Sequence, residues 1–295
     1  MTKEKKKSNT EDTTKEISRW KLSWNQLRKH KVALAGGIFV ILFILIAITA
    51  PIISPYDPIK ADFQNALKAP SFLHFFGTDH FGRDVFSRII FGARTSLLIG
   101  VFSVAIAAVG GILLGLISGF FSGWIDILIM RIMDVMLTFP RILLSILLIA
   151  IIGSGMSNIM LAVGLFAIPT YARLVRSMVL ALRETEFVES ARAVGGSNWR
   201  VMFKHIFPGT IGPIVVQSTF LTATSIRVAS GLSFLGIGVP APTPEWGGML
   251  ADARSYMGLA PHLLTIPGLA LMIVVLSFNL LGDGLRDALD PRQRK

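Results

Sequence analysis

Apolar residues in this 295-residue chain gather in long runs separated by polar, charged stretches. A helix that crosses the hydrocarbon of a bilayer needs about 20 mostly apolar residues. Segments 32–53, 95–120, 127–152, 157–175, 208–230 and 263–281 qualify. Pro140 interrupts the third and Pro169 falls in the fourth, which a bundle tolerates where neighbouring helices re-satisfy the freed backbone groups. The pattern therefore predicts an all-α, polytopic membrane helix bundle of about six spans. Residues 1–31 form a basic leader, 32–53 the first transmembrane helix and 54–94 an external loop. A five-helix core follows over 95–283, interrupted by a polar segment at 184–207, and 284–295 form a tail.

Composition agrees with the pattern. The chain is 52% hydrophobic and 16% charged, with mean hydropathy +0.63, where a soluble domain carries about 25% charged residues. The formal charge of +11 does not indicate nucleic-acid binding, which needs Lys and Arg concentrated on a folded soluble face. Here the cations sit between the apolar runs and read as topology signals. The leader (Lys3 to Lys31), the segment from Arg173 to Lys204 and the tail (Arg292, Arg294, Lys295) share one side, which the positive-inside rule makes cytoplasmic. Residues 1–16 lack apolar periodicity and are expected to be disordered. The first apolar run is longer than a signal-peptide core, and no small-x-small cleavage site follows it. The absence of Cys excludes disulfides and thiolate metal sites.

Two local patterns carry further content. The second run holds Gly100, Gly110, Gly111, Gly115 and Gly119. Small residues let membrane helices approach closely, either for tight packing or for sliding against a partner subunit. The segment 184–208 (ETEFVESARAVGGSNWRVMFKHIFP) is too polar to span and is patterned as two short helices. Thr185 is placed to cap the first, with Glu186 and Glu189 in its early turns. Phe187, Ala191 and Val194 make a narrow apolar stripe, and Gly195 and Gly196 end the helix. The second starts near Ser197 with Trp199, Phe203 and Ile206 on one face, and Pro208 opens the fifth span.

Glu189-Ser190-Ala191, then Gly195, then Phe207-Pro208 resembles the EAA loop of ATP-binding-cassette (ABC) importer permeases; Ser190, His205 and Phe207 depart from its commonest form. The stretch from Gly77 through Asp79, Gly82, Arg83, Asp84 and Arg88 looks like the GTDxxGRDxxSR signature of dipeptide, oligopeptide and nickel permeases. Residues 232–238 (LSFLGIG) and 242–247 (PTPEWG) are similar to a block of the C-type subunit. The resemblance implies an ABC type I importer permease in the bacterial inner membrane with both termini cytoplasmic. It further implies a heterodimer with a paralogous permease, two ATP-binding subunits docked on the coupling loops, and an extracytoplasmic substrate-binding protein. ATP and Mg would be bound by the ATPase subunits, and this chain would bind no cofactor. The implied cargo is a di- or oligopeptide; a nickel or metal-chelate cargo remains the alternative.

Ionisable residues inside apolar spans are functional hypotheses by default. Arg131 and Asp134 are spaced to pair along one helix face. Arg227 lies 19 residues after Pro208, about 28 Å along a helix, near the outer end of the fifth span. It either lines the outer cavity and meets an anionic group of the substrate or snorkels to the interface. Relatives commonly carry an acid two positions later, where this chain has Ala229. Asp79, Arg83, Asp84 and Arg88 are expected to brace the first external loop by ion pairs or, alternatively, to contact ligand. His74 and His80, six apart on that loop, are either surface residues or a metal contact. No G-x-x-x-x-G-K-[ST] loop, H-E-x-x-H pair or G-x-S-x-G elbow occurs, so the sequence offers no ATP cradle, metalloprotease site or serine nucleophile. An ion-coupled secondary transporter would carry inverted repeats around midplane ionisable sites, and neither is evident. A membrane scaffold or receptor would move no substrate in response to nucleotide.

Overall fold

A computed structural model describes residues 30–289; the basic leader before His30 and the last tail residues lie outside the described residues. The helices are α1 (Lys31–Ile53), α2 (Val85–Phe121), α3 (Gly123–Thr138), α4 (Arg141–Ile152), α5 (Met156–Leu165), α6 (Ile168–Arg183), α7 (Glu186–Ala193), α8 (Phe207–Phe234), α9 (Trp246–Ala253) and α10 (His262–Leu289). Among the described residues there is no strand, only an isolated bridge between Thr78 and Asp84. Among the described residues, five helical stretches are long and apolar enough to cross a membrane. Helices α3 and α4, bent by 94° where Pro140 interrupts them, make a sixth if the pair is one span. Proline removes a backbone donor and clashes with the preceding turn, which explains why the third apolar run does not stay straight.

Several helices extend past the apolar runs, α2 and α6 with identifiable causes. Helix α2 begins at Val85 rather than Thr95 because Asp84 caps it, its carboxylate accepting the Ser87 N–H at 2.8 Å. Its 37 residues amount to about 55 Å, well beyond a hydrocarbon core of about 30 Å, so one end stands clear of the membrane. Helix α6 continues to Arg183 because its late arginines find partners. Arg176 donates to both carboxylate oxygens of Asp126 at 2.5 and 2.6 Å, and Arg183 donates to the Gly119 carbonyl at 3.2 Å and to the Ser122 hydroxyl.

The long helix α2 is the centre of the bundle, with α6 against it along the stripe of Gly111, Gly115 and Gly119. A Cβ on Gly115 would meet the Ala172 carbonyl oxygen at 2.6 Å and the Val175 Cβ at 2.8 Å, so only glycine permits this approach. The stripe therefore serves packing inside the chain. The expected pair of Arg131 and Asp134 along α3 is corrected: Asp134 bonds Arg173 on α6, both about half exposed, because α6 lies alongside α3 and presents its guanidinium there.

Three apolar clusters divide the bundle. One joins α1, α2, α8, α9 and α10 around Trp246, Phe278 and Val274. The second joins α2, α6, α7 and the start of α8. The third packs Ile99 of α2 with Ile149 of α4, Ile159 of α5, and Ala229 and Leu232 of α8.

The substitution Gly115→Leu should destabilise the bundle by about 1–3 kcal/mol, the usual cost of overpacking. It would be read as a lower Tm of the detergent-solubilised protein. Gly258→Ala, whose new methyl meets nothing within 4 Å, should leave that midpoint where it is.

Candidate functional site

The polar segment after α6 folds as a helix, a turn and a second helix. Thr185 stands at the start of α7 but does not cap it; its hydroxyl donates back to the Leu182 carbonyl. The buried face of α7 also differs from the expected stripe. Val188 is fully buried and Ala191 half-buried, whereas Phe187 is exposed and Val194 is 89% exposed. The physical reason is the turn that follows: Gly195 adopts φ +86°, and the Gly196 N–H bonds the Ala191 carbonyl at 3.1 Å. That closure rotates Val194 outward and points Val188 at the bundle. Glu189 and Ser190 face solvent.

Ser197 caps the next turn, accepting the Arg200 N–H at 3.4 Å. A π-helical stretch, Val201–Ile206, then leads into α8, with Phe207 and Pro208 at its first turn. A π turn widens the helix and is common at functional sites. Its Val201, Met202 and Ile206 are fully buried and share one cluster with Val188, Val175, Val179, Leu116 and Phe120. Arg192 of α7 lies over the Phe120 ring at 5.2 Å. The segment is thus anchored to α2 and α6 on one side. On the other it exposes Phe187, Val194, and the stacked rings of Trp199 and Phe203, 5.8 Å apart. An apolar face of that kind on a short rigid helix is suited to seating on another protein.

At the other end of the bundle, the residues of the external-loop signature converge. Asp79 accepts from Arg83 Nε at 2.6 Å and from the backbone N–H groups of Phe81 and Arg83 at 2.9 Å each, and lies 3.5 Å from Arg88 Nε. Arg88 donates to the carbonyls of Pro58 at 3.0 Å and Pro242 at 3.3 Å, which ties the loop to the segment before α9. Arg83 lies over the Phe81 ring at 4.5 Å and within 3.7 Å of Asp252. Asp84 adds His74 at 2.9 Å and the Ser87 hydroxyl at 2.7 Å. Gly77 and Gly82 turn the chain at φ +74° and +75°. Asp79, Arg83, Asp84 and Arg88 are all buried. The arrangement therefore braces the loop against α2 and the segment before α9. His80 stacks on Tyr256 with centroids 5.1 Å apart, and among the described residues no three metal-ligating side chains gather.

One residue was quoted only as part of a motif and proves central to this end. Glu245 is 2% exposed, with one carboxylate oxygen accepting from Ser230 at 2.9 Å and Ser96 at 3.4 Å and the other from the Gly248 N–H at 2.9 Å. It caps α9 and joins α2, α8 and α9. Glu before Trp-Gly-Gly is the available sequence signal, a capping acid ahead of a short helix. Beside it the Trp246 indole N–H donates to the Ile89 carbonyl at 3.1 Å.

Within the spans, Arg227 projects from α8 and is exposed, without a carboxylate partner among the described residues. It continues an α8 face that carries Gln217, Phe220 and Thr224. Ala229 turns inward instead and is buried among Ile99, Ile149 and Ile159. A carboxylate at 229 would be enclosed by hydrocarbon there, which accounts physically for the alanine.

Residues 111–295 match the family model of the binding-protein-dependent transport system inner membrane component, and residues 18–70 match the N-terminal TM domain of oligopeptide transport permease C. The chain is 47% identical over 294 residues to the dipeptide transport system permease protein DppC of Alkalihalophilus pseudofirmus, covering all of this chain and 97% of that protein. It is 48% identical over 274 residues to the glutathione transport system permease protein GsiD of Pectobacterium atrosepticum, covering 92% and 91% of the two chains. Among solved structures, the MetNI methionine ABC transporter in inward facing conformations shares the fold. That likeness has TM-score 0.56 and 19% identity over 69% of this chain and 96% of the other.

Removing the charge of Asp79 by Asp79→Asn leaves two buried guanidiniums without their shared carboxylate. Stability should fall by about 3–5 kcal/mol, measured as a loss of folded, monodisperse protein on heating. Asp57→Asn, at an exposed position of the same loop, should have no measurable effect.

Proposed function

The chain belongs to the inner membrane components of binding-protein-dependent transport systems, and on that footing we propose that it forms half of the pore of an ABC importer for di- or oligopeptides. The observation that carries the reading is the segment 184–207. It is fixed to α2 and α6 through Val188, Met202 and Ile206 and presents Phe187, Val194, Trp199 and Phe203 outward. A displacement applied to that outer face by an ATPase subunit passes into α6 and α2 through their shared core. Peptide cargo is favoured over nickel or a metal chelate by the dipeptide and glutathione permeases that the chain resembles along nearly its whole length.

In this reading a paralogous permease completes the pore, two ATP-binding subunits hold ATP and Mg and perform the hydrolysis, and an extracytoplasmic binding protein delivers cargo. The segment 184–207 and both termini face the cytoplasm, as the Lys and Arg distribution directs. The braced loop around Asp79 and Arg88 then lies on the outer side, beside the delivery point. Arg227, exposed and near the outer end of α8, lines the pathway as a cation for the anionic end of the peptide.

Proteoliposomes containing the two permeases, the ATPases and a peptide-loaded binding protein provide the test. Uptake that requires ATP and this chain is expected; uptake by this chain alone under an ion gradient would refute the assignment. Val194→Asp should depress uptake by tenfold or more (about 1.4 kcal/mol or above of coupling) while leaving binding-protein affinity unchanged. Arg227→Ala should slow uptake in a correctly assembled complex, and unchanged kinetics would remove Arg227 from the pathway.

A further inference from the structure

Helix α8 carries one partly polar stripe through the bundle. Gln217, Phe220, Thr224 and Arg227 recur at intervals of three and four residues, which places them on one helix face. Ionisable side chains within a span are kept where they face a partner or a water-filled cavity. Towards the start of α8 this face opens onto a cavity of about 470 Å³ between α6, α8 and α10. A single water needs about 10–15 Å³, and small-molecule sites take up about 300–1,000 Å³, so the space admits a ligand group of several atoms.

The walls of the cavity are apolar: Leu174 of α6, Val216 and Phe220 of α8, and Leu289 of α10. Two polar side chains join them, Gln217 of α8 and Arg286 of α10. The neighbouring Ser218 and Thr219 hydroxyls donate to backbone carbonyls of α8; the Gln217 amide has no such partner among the described residues. Arg286 is exposed, and no carboxylate among the described residues pairs with it. Asp283, one turn earlier on α10, is exposed and does not line the cavity, and Asp287 lies 3.9 Å from His30. A guanidinium offers five donors and matches a carboxylate with two parallel hydrogen bonds. Apolar walls with a cation and an amide at one side therefore suit a carboxylate carried on a short apolar body.

We propose that this cavity is a second cargo subsite, at the end of the bundle that carries α7. Arg286 and Gln217 hold the C-terminal carboxylate of the peptide there, and the walls cover its last side chain. The inference rests on the peptide-importer reading and adds a station to it. Arg227 is ten residues beyond Gln217 on α8, about 15 Å, whereas an extended tripeptide spans at most about 11 Å. A tripeptide thus meets the two cations in turn, not together. An anionic lipid headgroup would offer Arg286 the same charge, but lipid would then also cover the face that carries Gln217, Thr224 and Arg227, which is costly.

A subsite at this end is filled from the compartment that holds ATP. The full complex in proteoliposomes, with ATP inside and binding protein loaded with labelled trialanine outside, is preloaded with unlabelled trialanine or its C-terminal amide. Initial uptake in the wild type should be slowed by the internal free acid at a concentration roughly tenfold lower than by the amide, the size of one charge-assisted hydrogen bond. Arg286→Gln should bring the two concentrations together by weakening the acid alone. Equal inhibition by acid and amide in the wild type, or a preference that persists in Arg286→Gln, would overturn the proposal. So would a wild-type requirement for phosphatidylglycerol over phosphatidylcholine that Arg286→Gln abolishes while acid and amide remain alike, which would mark a headgroup site. If Arg286→Gln does not assemble, Gln217→Leu is read by the same ratio, which should fall; an unchanged ratio would overturn the proposal. Absence of ATP-driven uptake into vesicles without internal peptide would instead sink the importer reading, and this inference with it.

Discussion

The structure depends on how closely α6 can lie against α2. Bilayer hydrocarbon gives helices no hydrophobic reason to associate, so packing and polar contacts must do it. Gly111, Gly115 and Gly119 remove the side chains that would hold the two axes apart, and the Asp126–Arg176 pair locks one end of the contact. Helix α6 runs directly into α7, separated only by Glu184 and Thr185. The position of α7 is therefore inherited from the close contact between α6 and α2.

From that contact the two ends of the molecule are built by different means. The end that carries α7 is held by apolar burial around Val188, Met202 and Ile206, with Arg192 laid over Phe120. The opposite end is held by buried charge: Asp79 serves two arginines, and Glu245 serves two serines and a helix N-terminus. Breaking a buried pair by removing one partner costs far more than the intact pair contributes. Such clusters impose one geometry on the loop more than they add stability.

Much of this was legible in the sequence. The spans follow from apolar length, and the segment after α6 follows from its polarity, its glycines and Pro208. The pairing of Asp79 with Arg83 and Arg88 was readable because opposite charges recur within a few residues. What escaped depends on contacts distant in sequence. Asp134 chose Arg173, 39 residues away, over the nearby Arg131, because the neighbouring helix reached it first. The buried face of α7 turned on the backbone conformation of Gly195, which no apolar periodicity encodes. Glu245 looked like one letter of a motif until Ser96 and Ser230 were seen to converge on it.

The central claim is that α7 is rigidly part of the α2–α6 unit, so a displacement of its exposed face is carried into the span interior. The chain contains no cysteine, so single cysteines introduced at exposed Val194 and at exposed Val109 of α2 give unique sites for a pair of spin labels. Their distance distribution in the assembled complex is the direct measurement, taken without nucleotide and with ATP trapped. The account predicts one narrow distribution, the same in both states, while the complex as a whole changes conformation. A distribution that shifts or broadens with ATP would show the helix swinging independently of α2 and α6, and would contradict it.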